Sequence, residues 1–132
     1  MVGVIICLNK ETTAQSFKKF LNIIACSPSN LKFCLVDNGV KEDIISIYKE
    51  QLDHFNDNVI KIKMAKSATK AKVIKAGYRY LYHLTTIKKI LFIEEKQNNT
   101  NLIKQLQKFL QSHDDTSAFV NIDEIRNVFI IS

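Results

Sequence analysis

The sequence has very few residues that interrupt secondary structure. Its 132 residues include one proline and three glycines, and we find no internal repeat and no low-complexity tract. This scarcity argues against a long disordered linker, because linkers are usually rich in such residues. The apolar content of 46% is ordinary for a globular protein. We therefore expect residues 1–132 to form a single domain with a substantial core.

Long hydrophobic runs are also missing. The longest, Gly3 to Leu8 and Ile90 to Ile93, are far too short to cross a bilayer. The N-terminus has neither the basic flank nor the small-residue cleavage site of a signal peptide. The three cysteines include no CxxC motif, and Cys7 and Cys34 lie within apolar runs, which predicts buried thiols. These features favour a cytoplasmic protein without a membrane span.

Acidic residues are absent between Asp57 and Glu94, although the chain as a whole carries a net charge of +6. The same stretch holds a run of basic residues, namely Lys61, Lys63, Lys66, Lys70, Lys72, Lys75, Arg79, Lys88 and Lys89. A positive region of this size is suited to attract phosphates or nucleic acid.

Apolar runs and helical spacing alternate along the chain. The runs predict six strands, at Val2–Leu8, Leu31–Val36, Val59–Met64, Lys88–Ile93, Ala118–Ile122 and Asn127–Ile131. A capping box of Thr12 and Gln15 is expected to open the first helix, which ends before Pro28. Three further helices are predicted, at about Lys41–Phe55, Ala68–Leu84 and Asn99–Ser112. Helical spacing predicts the buried residues of the first helix, Phe17, Phe20, Leu21 and Ile24, and those of the third, Val73, Gly77, Tyr80, Leu81 and Leu84. The last two strands are short and are compatible with a hairpin.

This order of elements predicts an α/β fold with a mostly parallel, twisted sheet and helices on both faces. The third strand alternates, with Lys61 and Lys63 pointing away from its apolar residues, as expected at a sheet edge. The first and fourth strands are apolar throughout, as expected inside the sheet. We therefore predict the order 3-2-1-4 plus the C-terminal strands.

Polar clusters follow three of the predicted inner strands. They are Asn9 with Lys10, Asp37 with Asn38 and Gly39, and Glu94 with Glu95 and Lys96. In the order 3-2-1-4 the gap between strands 1 and 4 is a topological switch point, where open α/β sheets bind ligands at the carboxyl ends of their strands. The three clusters therefore define the candidate site.

Three segments around these clusters resemble a known family. They read GVIICLN from Gly3, FCLVDNG from Phe33 and ILFIEEK from Ile90. The N-terminal half of family 2 glycosyltransferases, which have the GT-A fold, typically reads VSVIIPTYN, then VVDDGS or VVDNGS, then ILFLDDD. The resemblance covers about residues 2–96 and implies a truncated GT-A-like domain that binds a nucleotide-sugar.

The resemblance implies roles for individual residues. Asp37 matches the family aspartate that hydrogen-bonds the nucleotide base, which for this residue type implies a uracil-type ring and a UDP-type ligand. The alternative is that Asp37 only shapes a turn with Asn38 and Gly39. The implied nucleotide-binding residues are Asn9, Asp37, Asn38, Lys72, Lys75 and Glu94.

The family's aspartate motif matches Glu94 and Glu95. In the family these residues hold the ribose and a divalent metal, usually Mn²⁺ or Mg²⁺, which neutralises the leaving diphosphate. Glu95 is therefore the candidate metal ligand. However, Lys96 stands where the family usually has a further ligand, and its positive charge argues against a metal. The alternative is a solvated turn at the end of the strand.

The third helix departs from the family motif N-x-G-x-x-x-A-x-N-x-G. It keeps Gly77, but Lys75 replaces the second asparagine. Lys72 and Lys75 are candidates to bind the diphosphate directly without a metal. The alternative is that these lysines are only the solvated face of the helix.

Only 36 residues follow Lys96, whereas the family usually continues through a longer acceptor-binding half. A transferase needs a base to deprotonate the acceptor hydroxyl, and the sequence identifies no catalytic residue. Two acidic pairs in this tail, Asp114–Asp115 and Asp123–Glu124, have the context of helix ends or turns.

Three functions remain open, and the first is a nucleotide-sugar-binding domain of glycosyltransferase type. The second is a non-catalytic relative that serves as a binding or assembly module, for which a homo-oligomer is expected. The third, ranked lowest, is a nucleic-acid binder that stacks bases on Tyr78, Tyr80 and Tyr82. Alternate residues of a helix point in different directions, so these tyrosines are not expected to form one platform.

Overall fold

A six-stranded sheet forms the centre of the protein in the computed structural model, which describes residues 2–25, 31–52, 59–82, 89–94, 119–122 and 125–131. The elements are, in chain order, β1 (Val2–Leu8), α1 (Ala14–Ala25), β2 (Leu31–Asp37), α2 (Glu42–Leu52), β3 (Val59–Lys63), α3 (Lys70–Tyr82), β4 (Lys89–Glu94), β5 (Phe119–Ile122) and β6 (Ile125–Ile131). The helix predicted at Asn99–Ser112 lies outside the described residues.

The strand order is β3-β2-β1-β4-β6-β5. β1 lies between β2 and β4 and is parallel to both, and β3 is parallel to β2. β6 is parallel to β4, whereas β5 is antiparallel to β6. The predicted order 3-2-1-4 is thus confirmed, and the two C-terminal strands pair as a hairpin beside β4.

Helices pack on both faces of the sheet, as predicted. Alternate strand residues point to opposite faces, and this alternation creates two cores. The first core lies under α1 and α2 and includes Val4, Ile6, Leu8, Phe17, Phe20, Leu21, Ile24, Leu31, Phe33, Leu35, Ile44, Leu91 and Ile93. The second core lies under α3 and includes Ile5, Cys7, Cys34, Val36, Val73, Ile74, Leu81, Ile90 and Phe92.

The edge position of β3 explains its alternating sequence. Ile60 and Ile62 are partly buried against the second core, while Lys61 and Lys63 are exposed. Charged side chains on an edge strand hinder pairing with another chain. The predicted edge strand is therefore confirmed by both its place in the sheet and its burial pattern.

The buried residues of α1 were predicted correctly, whereas the prediction for α3 wrongly included Tyr80. All four predicted core residues of α1 are buried, whereas Tyr80 of α3 is 54% exposed. The buried stripe of α3 includes Ile74 beside Val73, Gly77 and Leu81. Including Ile74 shifts the centre of the stripe around the helix and leaves Tyr80 outside it.

The cap of α1 lies one residue later than predicted. Thr13, rather than Thr12, accepts the capping hydrogen bond at Oγ1 from the backbone N–H of Ser16, at 3.1 Å. Thr12 is buried, and its Oγ1 accepts a hydrogen bond from the backbone N–H of Asn9 at 3.0 Å. The predicted capping box of Thr12 and Gln15 is therefore wrong, because Thr12 closes the turn after β1 instead.

Candidate functional site

The carboxyl ends of β1, β2 and β4 lie side by side and form what we call the carboxyl edge. In the ladders of these parallel strands Leu8 pairs with Asp37, and Cys7 pairs with Glu94. Four of the predicted nucleotide-binding residues lie at this edge, namely Asn9, Asp37, Asn38 and Glu94. The gap between β1 and β4 is the switch point, because the chain connections run to opposite sides of it.

Asp37 ends β2 and shapes the turn that follows. Its side chain is 7% exposed, and its Oδ1 accepts hydrogen bonds from the backbone N–H of Gly39 at 3.2 Å and of Val40 at 3.1 Å. Gly39 has a φ of 94°, a conformation that side chains with a Cβ rarely adopt. Both hydrogen bonds described for this carboxylate fall on Oδ1, so the turn orients the whole group.

The neighbouring Asn38 is buried and forms hydrogen bonds with two other parts of the chain, the end of β1 and the segment before α3. Its backbone N–H donates to the carbonyl oxygen of Leu8 at 2.7 Å. Its side-chain Nδ2 donates to the carbonyl oxygen of Ala68 at 3.0 Å, and its Oδ1 accepts from the N–H of Ala68 at 2.8 Å. Both polar ends of the Asn38 amide are thus engaged within the chain. We call these two side-chain bonds the Asn38–Ala68 pair.

Cys7 is fully buried beside the edge, and its thiol is unsuited to nucleophilic chemistry. Burial, with smaller contributions from the charge of Glu94 and a hydrogen bond to the Glu94 carboxylate, raises the pKa of the Cys7 thiol to about 12. A hydrogen bond from the Asn38 side chain acts in the opposite direction. Burial alone raises the pKa of Cys34 to about 12. Both cysteines are free, which confirms the prediction of buried thiols.

Asn9 follows β1 and is part of a tight turn. Its Oδ1 accepts from the backbone N–H of Glu11 at 2.8 Å, and its carbonyl oxygen accepts from the N–H of Thr12 at 3.1 Å. The side chain is half-buried. Asn9 therefore holds the β1–α1 connection in place at the carboxyl edge.

The predicted lysines lie on the first two turns of α3. Thr69 caps this helix, since its carbonyl oxygen accepts from the N–H of Val73 at 3.0 Å and its Oγ1 accepts from the N–H of Lys72 at 3.4 Å. Lys72 is exposed in the first turn, which contains no acidic residue, and Lys75 is half-buried in the second. The Asn38–Ala68 pair fixes the start of α3 at the carboxyl edge, so the first turn of α3, which carries Lys72, begins beside the end of β2.

The described residues do not assemble a metal site. Among them there is no group of three or more His, Cys, Asp and Glu residues that could hold a metal ion. Asp37 pairs with Leu8 of the first core and Glu94 with Cys7 of the second, so the two carboxylates project from opposite faces of the sheet. Glu95 and Lys96 lie outside the described residues, and so do the acidic pairs at 114–115 and 123–124.

Among the tyrosines of α3 whose side chains the structure describes, Tyr78 and Tyr80 do not form one stacking surface. Tyr80 is exposed, whereas Tyr78 is half-buried and packs against the second core. These two rings therefore do not present a common face to a nucleic acid.

Sequence reasoning missed the Asn38–Ala68 pair and the role of Thr12. Ala68 contributes only its backbone to the pair, so no side-chain signal marks it. Thr12 carried a signal, since it is one of two adjacent threonines before a helix, and the sequence did not distinguish which of them caps it. Both features are internal contacts that stabilise the carboxyl edge rather than polar groups that face solvent.

Comparison of the chain with protein-family models gave no match. Comparisons with curated proteins and with solved structures likewise gave no significant match. Within the ranges that the structure describes, no helix combines the length and apolar character needed to cross a membrane.

Proposed function

We propose that the chain is a GT-A-like domain that binds a uracil-type nucleoside diphosphate, or its sugar, at the carboxyl edge. The observation that carries this proposal is the buried, oriented carboxylate of Asp37 at the strand ends beside a topological switch point. A nearly buried carboxylate at a ligand-binding edge gives base selectivity more readily than an exposed one, because water competes less for its oxygens.

Recognition of the base follows from the two oxygens of Asp37. The turn occupies Oδ1, and a carboxylate accepts hydrogen bonds on both oxygens. Oδ2 is the oxygen that accepts from the N3–H of a uracil-type ring in this proposal. Guanine presents two adjacent donors, N1–H and the N2 amino group, and with Oδ1 taken by the turn only one of them is matched at Asp37, whereas the single N3–H of uracil is fully matched.

Recognition of the diphosphate falls to Lys72. Its side chain is exposed on the first turn of α3, and neither that turn nor β3 contains an acidic residue to neutralise it. Phosphate is a strong acceptor for a lysine ammonium group. In this proposal the diphosphate is held by positive charge, without a metal.

We propose binding rather than transfer. A transferase needs a base positioned at the acceptor hydroxyl. Of the two described carboxylates at the edge, Asp37 binds the nucleotide base in this proposal, and Glu94 accepts from the Cys7 thiol.

Isothermal titration of the purified chain with UDP and GDP, each with and without Mn²⁺, tests the proposal. We expect UDP to bind and GDP to bind at least about tenfold more weakly. Addition of Mn²⁺ should change the UDP affinity by less than about twofold, which corresponds to a small change in binding free energy. No detectable UDP binding at millimolar concentration would overturn the proposed function.

The substitution Asp37→Asn tests the base contact. Asparagine keeps an oxygen for the turn but replaces the second oxygen by an NH₂ donor, which opposes the N3–H donor of uracil. We expect UDP affinity to fall by about tenfold or more, equivalent to about 1.4 kcal/mol. Urea unfolding should show a change in unfolding free energy of less than about 1 kcal/mol, because a turn acceptor remains.

The matched control is Glu50→Gln, which removes the same charge from an exposed residue near the end of α2, away from the carboxyl edge. We expect it to change UDP affinity by less than about twofold, because exposed charges away from the ligand are strongly screened. Equal losses in the two variants would show that net charge, and not base recognition, governs binding.

A further inference from the structure

The Asn38–Ala68 pair imitates the contact between neighbouring strands. One side-chain amide donates to the carbonyl oxygen of Ala68 at 3.0 Å and accepts from its N–H at 2.8 Å. A backbone peptide group in a ladder forms the same two kinds of bond. The segment between β3 and α3 is therefore attached to the end of β2 through a side chain rather than through a strand.

Backbone hydrogen bonds also attach Asp37 and Asn38 to the neighbouring strands. The backbone N–H of Asn38 donates to Leu8 at the end of β1, and the carbonyl oxygen of Asp37 accepts from the N–H of Met64 after β3. Asn38 is only 7% exposed. Its side chain therefore has little freedom, and the start of α3 has a fixed place relative to Asp37.

We propose that Asn38 is a positioning residue of the nucleotide site. Asp37 and α3 lie on opposite faces of the sheet, so one ligand reaches Asp37 and Lys72 only across the end of β2, and Asn38 fixes the start of α3 beside that end. In this proposal Asn38 acts through its two bonds to Ala68 rather than through a contact with the ligand. This role rests on the proposed function, because it requires a diphosphate at Lys72 and a base at Asp37.

A positioning role has a consequence that a merely structural role lacks. If Asn38 acts through Lys72, its removal weakens ligands that carry the diphosphate and spares the nucleoside. A general loss of fold would instead weaken UDP and uridine alike. The ratio of the two affinities is therefore the informative quantity.

The experiment is an NMR titration of the wild-type chain and the Asn38→Ala variant with UDP and with uridine. We expect Asn38→Ala to weaken UDP binding by about tenfold, equivalent to about 1.4 kcal/mol, and uridine binding by less than about twofold. Asn38→Ser, which keeps one hydrogen-bonding group, should give an intermediate loss and provides a second folded variant for the comparison.

A double-mutant cycle with Lys72→Ala tests whether the effect passes through that lysine. In the Lys72→Ala background, Asn38→Ala should cause less than about a twofold further loss of UDP affinity, because coupled residues are not additive. Lys61→Ala removes the same charge from an exposed residue of β3 and serves as the control background. There the full tenfold effect of Asn38→Ala should persist.

Hydrogen exchange gives a readout without ligand. The Ala68 amide should be protected in the wild-type chain and should exchange at least about tenfold faster in Asn38→Ala, since it loses its acceptor. The Val73 amide, bonded within α3, should change little. Failure of the wild-type chain to bind UDP refutes the proposed function. UDP binding with equal losses for UDP and uridine, or with unchanged Ala68 exchange, refutes the positioning role.

Discussion

Asp37 and Asn38 are adjacent, but their side chains serve different parts of the edge. The Asp37 carboxylate turns back to its own loop, at Gly39 and Val40, whereas the Asn38 amide reaches a residue 30 positions away. Adjacent strand residues point to opposite faces, which accounts for this division. The sequence Asp37-Asn38-Gly39 therefore encodes both a local turn and a long-range contact.

The buried thiols make stability depend on pH in the alkaline range. Folding raises the pKa of Cys7 and Cys34 from 9.0 to about 12. Between these values the native chain keeps protons that the unfolded chain loses. The contribution of the two thiols to the unfolding free energy is therefore fully present below pH 9 and is lost as pH rises toward 12. We expect urea unfolding at pH 8.5, 9.5 and 10.5, values spanning the start of that window, to show this fall.

The control for this pH dependence is the double variant Cys7→Ala/Cys34→Ala. Its unfolding free energy should be lower at every pH because of the lost packing, but its decline above pH 9 should be shallower. The difference in slope should approach about 1.4 kcal/mol per pH unit for each thiol. Parallel curves for the two proteins would show that these thiols do not titrate differently on folding.

For individual residues, the sequence predicted burial and turn formation better than it predicted contact partners. The burial of Cys7 and Cys34 followed from their apolar neighbours, and the turn at Asp37 followed from the glycine two residues later. The partner of Asn38 was not predictable, because Ala68 contributes backbone atoms and lies in a connection without periodicity. A single sequence carries no signal for such a bond.

Among the elements, α3 packs against β1 at Gly77 with no room for a side chain. A Cβ at this residue would lie 2.7 Å from Cδ1 and 2.9 Å from Cγ1 of Ile5, a fully buried side chain of β1. Real Cβ atoms are not found at such distances, so either the helix or Ile5 would have to move. Gly77 therefore sets the distance between α3 and β1.

The substitution Gly77→Ala should destabilise the protein. Alanine improves helix propensity by about 1 kcal/mol, whereas overpacking in a filled core costs about 1–3 kcal/mol. Because two atoms of Ile5 would be overlapped, we expect the second effect to dominate, with a net loss of about 1 kcal/mol. Urea unfolding measures this loss.

Ile5→Val supplies the matched test, because it removes Cδ1, the nearest atom to the new Cβ. In that background Gly77→Ala should be less destabilising than in the wild-type chain, and the difference is the coupling energy of the pair. Equal losses of unfolding free energy in both backgrounds would show that the strain does not arise from contact with Ile5.

Periodicity predicted the elements well where one face is clearly apolar. The four core residues of α1 recur at helical spacing, and β3 alternates strictly, so both were predicted correctly. The centre of the α3 stripe was misplaced because Val73 and Ile74 are both apolar, and periodicity alone does not decide between them. The cap of α1 was displaced for a related reason, since Thr12 and Thr13 are equivalent in sequence.

In the whole molecule, the order of the four parallel strands followed from how apolar each strand is. Strands with two apolar faces belong inside a sheet and β3, with its lysines, belongs at an edge. That reasoning contains no information about ligands. The glycosyltransferase resemblance, the homo-oligomer and the UDP-type ligand therefore remain predictions for binding and mass measurements.

The exposed lysines of β3 bear on self-association. They keep a free strand edge charged, which discourages pairing with a second copy at that edge. We expect Lys61→Val/Lys63→Val to increase the molar mass measured by light scattering as protein concentration rises. Lys49→Val/Lys41→Val removes the same charge from exposed residues outside the sheet and should leave the mass unchanged. Similar masses for the two variants would show that β3 is not a protected edge.

The Asn38–Ala68 pair also has a consequence for the order in which the molecule folds. A contact between residues 30 positions apart forms only after the intervening chain has closed into a loop, with the entropy loss that this entails. The β1–β2 ladder closes a loop of similar length, since Val2 pairs with Leu31, but the start of α3 has no fixed place until β2 and its turn are present. The carboxyl edge is therefore complete only when these loops have closed, and a fragment ending before residue 68 would keep Asp37 but lose the partner of Asn38.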